Sequence, residues 1–549
     1  MDCDIRLSRA IRNLICAKGS NTDKQAFLLS DMSGEGCSFA KGSLPDDIGL
    51  LQEEDRNLDV CVHELNTRRA LVRRKLNDLA TPACSLSPEI LSTIFTYAYP
   101  LPSLLPRLNL QSLEADDFVS PDAREVLLDP PANEIQVSKP VILGAVCSYW
   151  RQVAWSTPRL WSALDLRPLP TTRSYKAATA LLHLYARNAR DIGLKVQIVF
   201  HWSMVLGMDN SKLEGPAQSL GDALCSPEML TTVCMLVLSN PPDAWLPHLS
   251  RGFINLSTLA IIAKGPKPKT TVTVTNVPAL RHVSLCGIRN LISLPFRQLL
   301  SMTLRDIPVD LMYQLLHAGT NLSSYRTRVA VTSRDVRIPL PPADTPVIFH
   351  DLEHLEWAGN YTVWSQNLQR FRFPSLQYLH LHEGMPLDDF GLLPLFETLP
   401  STLKTMHFEG FFEEENIMEI LFALPQVETV ILEKCDSDSI RHVLQQIGRR
   451  WLSPQERFVP HLRRLKIEGT SQVPDDSFPF EFSHIIIKAL LRRTMAYEGP
   501  LCLEINPATM VQWSWEVADA FKDLIVHNGV PLKIVVEGEE VDWASMVPH

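Results

Sequence analysis

None of the 11 cysteines stands in a CxxC pair, which fits buried thiols in a reducing compartment better than a disulfide framework. No apolar run approaches the roughly 18 residues that a membrane span needs. The start lacks the basic n-region of a signal peptide, since Asp2 and Asp4 stand there and Arg9 and Arg12 interrupt its apolar positions. The sequence also lacks an excess of positive charge: the formal net charge is -10 and the pI is near 5.9, against a general nucleic-acid binder. No G-x-S-x-G elbow, phosphate loop or dinucleotide fingerprint occurs. What is present is ordinary folding material, 45% apolar and 21% charged over 549 residues, enough for several domains or one long repeat array. The expectation is a soluble intracellular protein, cytoplasmic or nuclear, with no membrane and no nucleic-acid partner.

Residues 1–43 are mixed, rich in Ser and Gly, and read as a loose tail. From 44 to 80 the pattern changes, with Leu51, Leu58, Leu65, Val72 and Leu79 recurring at intervals of seven, the mark of one long amphipathic helix. Glu54, Arg68 and Lys75 place charge in the second core position of the heptads, so a helix packed on its own domain fits better than a long two-stranded coiled coil.

A second helix is announced at residue 87, where Ser87 can cap, Pro88 needs no amide partner and Glu89 complements the positive helix end. Ile90, Leu91, Ile94, Phe95 and Ala98 then share an apolar face. Residues 100–138 interrupt with six prolines and seven acids against two bases, a composition that cannot bury enough apolar surface to order itself well. After them Val141, Ile142, Ala145, Val146, Tyr149, Trp150 and Val153 rebuild a helical apolar face. Neither helical half can bury its face alone, so the two are expected to pack together as one interrupted module over 81–170.

Leu86, Pro88, Glu89, Ile90, Leu91, Ile94 and Phe95, with Leu143, Val146, Cys147, Trp150, Arg151, Ala154, Pro158, Leu160 and Trp161, resemble the F-box family. The spacing within each half matches closely, whereas Ser87 stands where the family usually has Pro and the insertion exceeds its short link. The resemblance implies a small three-helix bundle that docks on a Skp-type adaptor and, through it, on a cullin-RING ubiquitin ligase. It places adaptor binding on Leu86, Pro88, Glu89, Ile90, Ile94, Phe95, Val146, Cys147, Trp150, Arg151 and Trp161.

From Val233 to the end at 549 a different pattern governs, with apolar residues zero, three and five places into each unit. Instances are Leu256/Leu259/Ile261, Leu280/Val283/Leu285, Leu376/Leu379/Leu381 and Leu462/Leu465/Ile467, and successive units start 19 to 35 residues apart. That range surrounds the period of leucine-rich repeats, and helical segments fall between the units. The array therefore resembles an irregular leucine-rich-repeat solenoid with a parallel sheet, although the family's regular Asn after each strand is mostly missing. Residues 171–232, a helix and the strand "LKVQIVF", are expected to connect it to the F-box-like module. The fold class is α/β: N-terminal helix, small three-helix bundle, then solenoid.

Alternation along a strand turns places three and five to the core and places two and four to the open face. The candidate client-binding face is therefore Ser284, Arg326, His354, Glu356, Tyr378, His380, His407, Arg464 and Lys466. Charge reversal at Glu356 or Lys466 should then change the proteins bound without loss of stability. Metal chemistry is not expected: His350 and His354 lack the Glu of HExxH, and His380 and His382 share a strand face but are two ligands only. No cofactor and no catalytic residue is expected. The function favoured is a non-catalytic substrate receptor of an SCF-type ligase presenting an unknown client protein; the alternatives are a repeat scaffold that never joins a cullin complex and, in a third class, a hydrolase built on His350, His354 or His380.

Overall fold

The computed structural model describes residues 44–80, 86–98, 139–200, 211–263, 272–288, 292–331, 346–357, 370–382, 393–410, 414–435, 437–447, 458–468, 501–505, 522–523, 532–536 and 539–540. The expected tail 1–43 and the insertion 100–138 lie outside the described residues. The chain divides into two compact units, 1–80 and 81–549. In the first, α1 (Leu44–Ala80) is one continuous helix. Among the described residues, no helix is long and apolar enough to cross a membrane.

The second unit opens with α2 (Pro88–Ala98), α3 (Lys139–Val146) and α4 (Ser148–Trp155). Helix α2 buries Leu91 and Phe95, and Phe95 meets Trp150 of α4 edge-on with ring centroids 4.9 Å apart. The Tyr149 hydroxyl donates to the Leu86 carbonyl at 2.6 Å, closing the entrance of α2 onto α4. Cys147 caps α4, extended in backbone and accepting from the Trp150 amide on its sulfur. Trp161, fully buried, donates its indole N–H to the Ala154 carbonyl at 2.8 Å. It contacts Trp155 and Tyr185 edge-on.

The remaining elements alternate strand and crossover. They run β1 (Ala163–Leu166), α5 (Thr172–Ala189), β2 (Leu194–Val199), α6 (Ser211–Leu224), α7 (Pro227–Thr232), β3 (Val233–Ser239) and β4 (Thr258–Ile262). Next come β5 (Val272–Thr273), β6 (His282–Cys286), β7 (Ile292–Ser293), β8 (Ser301–Pro308), α8 (Val309–Ala318), β9 (Ser324–Val331), β10 (Val347–Ile348), β11 (His354–Trp357) and β12 (Phe371–Arg372). The chain continues through β13 (Tyr378–His382), α9 (Leu393–Glu397), β14 (Thr405–Glu409), α10 (Glu414–Ala423), β15 (Thr429–Glu433), α11 (Ser437–Ile447) and β16 (Arg464–Glu468). It ends with β17 (Leu501–Ile505), β18 (Leu532–Val536) and β19 (Glu539–Glu540).

Among the described residues, fifteen strands form one sheet in chain order, β5, β7, β10 and β12 excepted. Every pair is parallel until the last, β18 with β19, which is antiparallel. The sheet starts earlier than the repeat pattern: β1 and β2 pair with each other and β2 with β3, so the segment read as a connection belongs to the sheet. Leu259, Ile261, Val283, Leu285, Leu379, Leu381, Leu465 and Ile467 are buried on the inner face. A single apolar cluster runs from Leu91 to Leu503, so bundle and sheet share one core.

Backbone bonds lace the units on both sides of each strand. On the entering side the amides of Gln377, Lys404, Glu428 and Arg463 donate to the carbonyls of Glu353, Gln377, Lys404 and Glu428 respectively. On the leaving side, seven places after the leading apolar residue, the chain turns through left-handed Asn240, Gly287, Gly410 and Lys434, while Asp306 takes the same backbone conformation within β8. The amides of Asn240, Gly287, Gly410 and Lys434 bond to the carbonyls of Ile262, Arg305, Glu433 and Glu468. Main-chain ladders thus satisfy the turns where a regular Asn is missing.

Candidate functional site

Two, four and six places into each unit, side chains point to the face opposite the shared core. Parallel register stacks them in rows across the sheet: Ser284, Thr303, Arg326, Glu356, His380 and His407 succeed one another on adjacent strands. Four places in on β11, β13 and β14, this face is buried rather than open. Glu356, His380 and His407 are 7%, 3% and 5% exposed.

Six places in, the row adds Arg328, Glu409 and Glu433, which the sequence reading passed over, and His382, which it paired with His380 on one strand face but set aside as two ligands only. Extending the same alternation by two positions identifies them. Arg328 Nε donates to Glu356 Oε1 at 2.6 Å, and His382 Nε2 lies 3.0 Å from the same oxygen. His382 Nδ1 and His380 Nε2 lie 3.0 and 3.2 Å from Glu409 Oε2, while Lys434 Nζ is 2.9 Å from Glu409 Oε1. The rings of His380 and His407 stack at 3.6 Å, and those of His380 and His382 are 4.0 Å apart. His407 is bound on both sides, by the Tyr378 hydroxyl at 2.8 Å from Nδ1 and by Glu433 at 3.1 Å from Nε2.

The electrostatics follow from burial and pairing. Burial alone would raise the Glu356 carboxyl, but the His382 hydrogen bond and the Arg328 charge hold it down at about 2. Glu409, opposed in the same way by burial, is held well below the usual range by His380, His382 and Lys434. Burial pushes His380 down to about 4, whereas His382, also penalised by burial, is raised because Glu356 and Glu409 flank it. Of the two, His382 is the imidazole whose protonated form the flanking carboxylates favour.

Of the nine residues assigned to the client face, the structure brings Arg326, Glu356, Tyr378, His380 and His407 together. His354, exposed, touches this group through Tyr378, with ring centroids 5.7 Å apart. Ser284 lies three strands away from Glu356. Ile431 separates Lys466 from His407 in its row, and Lys466 pairs instead with Glu468 and Glu504; Arg464 is exposed beside it. The expected neutrality of charge reversal therefore fails for Glu356, whose buried carboxylate is bound by Arg328.

The residues assigned to adaptor binding divide by burial. Phe95, Cys147 and Trp161 are buried, so they support the bundle and are not contact residues as assigned. Leu86, Val146, Trp150 and Arg151 are half-buried, with Arg151 Nε donating to the Gly144 carbonyl at 2.8 Å. Pro88, Glu89, Ile90 and Ile94 are exposed, joined by Tyr97 and Ile142. Tyr97, three places after Ile94, was readable from the same helical stripe. No family model matches the chain, and no curated protein matches it.

Proposed function

We propose that the chain is a non-catalytic substrate-recognition subunit of an SCF-type ubiquitin ligase. The small bundle docks on a Skp-type adaptor and the polar face of the parallel sheet receives a client protein. The observation that carries this reading is the exposure of Ile90, Ile94, Tyr97 and Ile142, at 52%, 44%, 82% and 44%, on a bundle whose Leu91, Phe95, Leu143, Val153 and Ala154 fill a core. Ile90, Ile94 and Tyr97 follow helical spacing, so α2 presents one apolar ridge with Pro88 and Glu89 at its start. The F-box-like spacing places adaptor contact on that same ridge. The sequential parallel ladder supports a leucine-rich-repeat-like solenoid as the client-binding part. Proximity is the mechanism: a client held on the sheet gains a high effective concentration near the ligase.

The test is adaptor binding by the purified full chain, wild type against Ile90→Asp/Ile94→Asp. Because both side chains are exposed, the variant should keep its helical circular dichroism and melting temperature while losing saturable binding. A folded wild-type chain that binds no Skp-type adaptor would leave the repeat scaffold as the better reading.

A further inference from the structure

We propose that Glu356, His380 and His382 form a binding site for a divalent transition-metal ion of the zinc type, with Glu409 as the carboxylate that orients both imidazoles. The site goes beyond the ligase reading and stands or falls without it. One ligand atom from each of the three residues lies within 4.8 Å of the others. Along the individual edges, His382 Nε2 is 3.0 Å from Glu356 Oε1 and His380 Nδ1 is 4.0 Å from Glu356 Oε2. A tetrahedral ion with bonds of about 2.0–2.1 Å separates its ligand atoms by roughly 3.4 Å. The two edges to Glu356 depart from that separation by 0.4 and 0.6 Å, and all three ligand atoms lie within 4.8 Å, so small side-chain rotations bring them to coordination distance.

The scaffold is rigid where this matters. His380 and His382 are two apart on β13, so both imidazoles project from one face, and Glu356 is the direct register partner of His380 on β11. Arg328, on the neighbouring strand β9, holds Oε1 of Glu356 at 2.6 Å and so fixes the carboxylate beside the two rings. The far nitrogens of both rings face Glu409 Oε2 at 3.0 and 3.2 Å, and Lys434 holds Glu409 in turn. A carboxylate behind a ligating imidazole fixes its tautomer and orientation.

The charge count also favours a cation. Glu356, Glu409 and Glu433 have side chains 9%, 8% and 16% exposed. Arg328, at 8%, is the buried permanent cation among them, whereas Arg326 and Lys434 are about half exposed. A dication bound between Glu356 and the imidazoles adds buried positive charge beside these three carboxylates. Two imidazoles and a carboxylate suit zinc and its neighbours better than calcium or magnesium.

The experiment uses the untagged full chain, stripped with chelator and titrated with Zn2+ by calorimetry and with Co2+ by visible absorption. One equivalent of each should bind, and the Co2+ adduct should show d–d bands without a thiolate charge-transfer band. Glu409→Gln should weaken binding by about 10- to 100-fold, His380→Gln/His382→Gln should abolish it, and His407→Gln should leave it within about threefold of wild type. Absence of stoichiometric binding, a thiolate band in the wild-type spectrum, or full binding by the double variant overturns the site. The wild-type Co2+ spectrum decides the matter if a variant fails to fold.

Discussion

Glu356 shows how a residue's neighbours decide its role. Alternation along β11 places its side chain on the sheet's outer face, yet Arg328, His380 and His382, from strands on either side, enclose it. Removing a carboxylate from such a network leaves Arg328 buried without its closest partner, and installing a cation adds repulsion. Glu356→Lys should therefore lower unfolding free energy by about 3–5 kcal/mol in urea titration; an unchanged midpoint would show that solvent already reaches the pair. The direction of this side chain was legible in the sequence because strand period is local. Its burial was not, because the enclosing residues come from units 24 to 28 positions away, and no local pattern encodes which charges meet. Burial likewise separates Ile90 from Phe95, which both lie on the apolar face of α2, but only Phe95 meets Trp150.

At the scale of the repeating element, the turns after the strands carry a requirement that the apolar pattern does not reveal. Position seven is left-handed in Asn240, Gly287, Asp306, Gly410 and Lys434, where glycine is the residue without steric cost and Asn or Asp are tolerated. Gly287 combines a φ of 70° with a close approach: a Cβ there would fall 1.8 Å from the Ala263 carbonyl oxygen. Since Ala263 N bonds to the Cys286 carbonyl and Gly287 N to that of Arg305, the clash disturbs two rungs at once. Gly287→Ala should cost about 1–3 kcal/mol from backbone strain, and more for the clash. Equal thermal stability of Gly287→Ala and wild type would disprove the strained turn. The varied residue types, with Lys among them, hid this position from sequence reading; the inner-face pattern was visible because Leu, Ile and Val recur there by necessity.

For the whole molecule, strands paired in chain order mean that each unit owes its stability mainly to the two beside it. The apolar cluster is continuous from Leu91 to Leu503, yet any one strand, such as β13, bonds only to β11 and β14. A cavity made in one unit should therefore loosen its neighbours first. Leu379, buried on β13, tests this: Leu379→Ala should remove about 2–5 kcal/mol, read by native-state hydrogen exchange as lost amide protection in β11, β13 and β14. The strands β2 and β3, many units away, should keep most of theirs, since local opening precedes global unfolding. Uniform loss from β2 to β17 would instead mean that the sheet unfolds as one cooperative block. Graded loss would locate the Glu356, His380 and His407 cluster, which lies on these same strands, as the region where a bound ion or partner gives the greatest local protection, because ligand binding stabilises only those openings that expose its site.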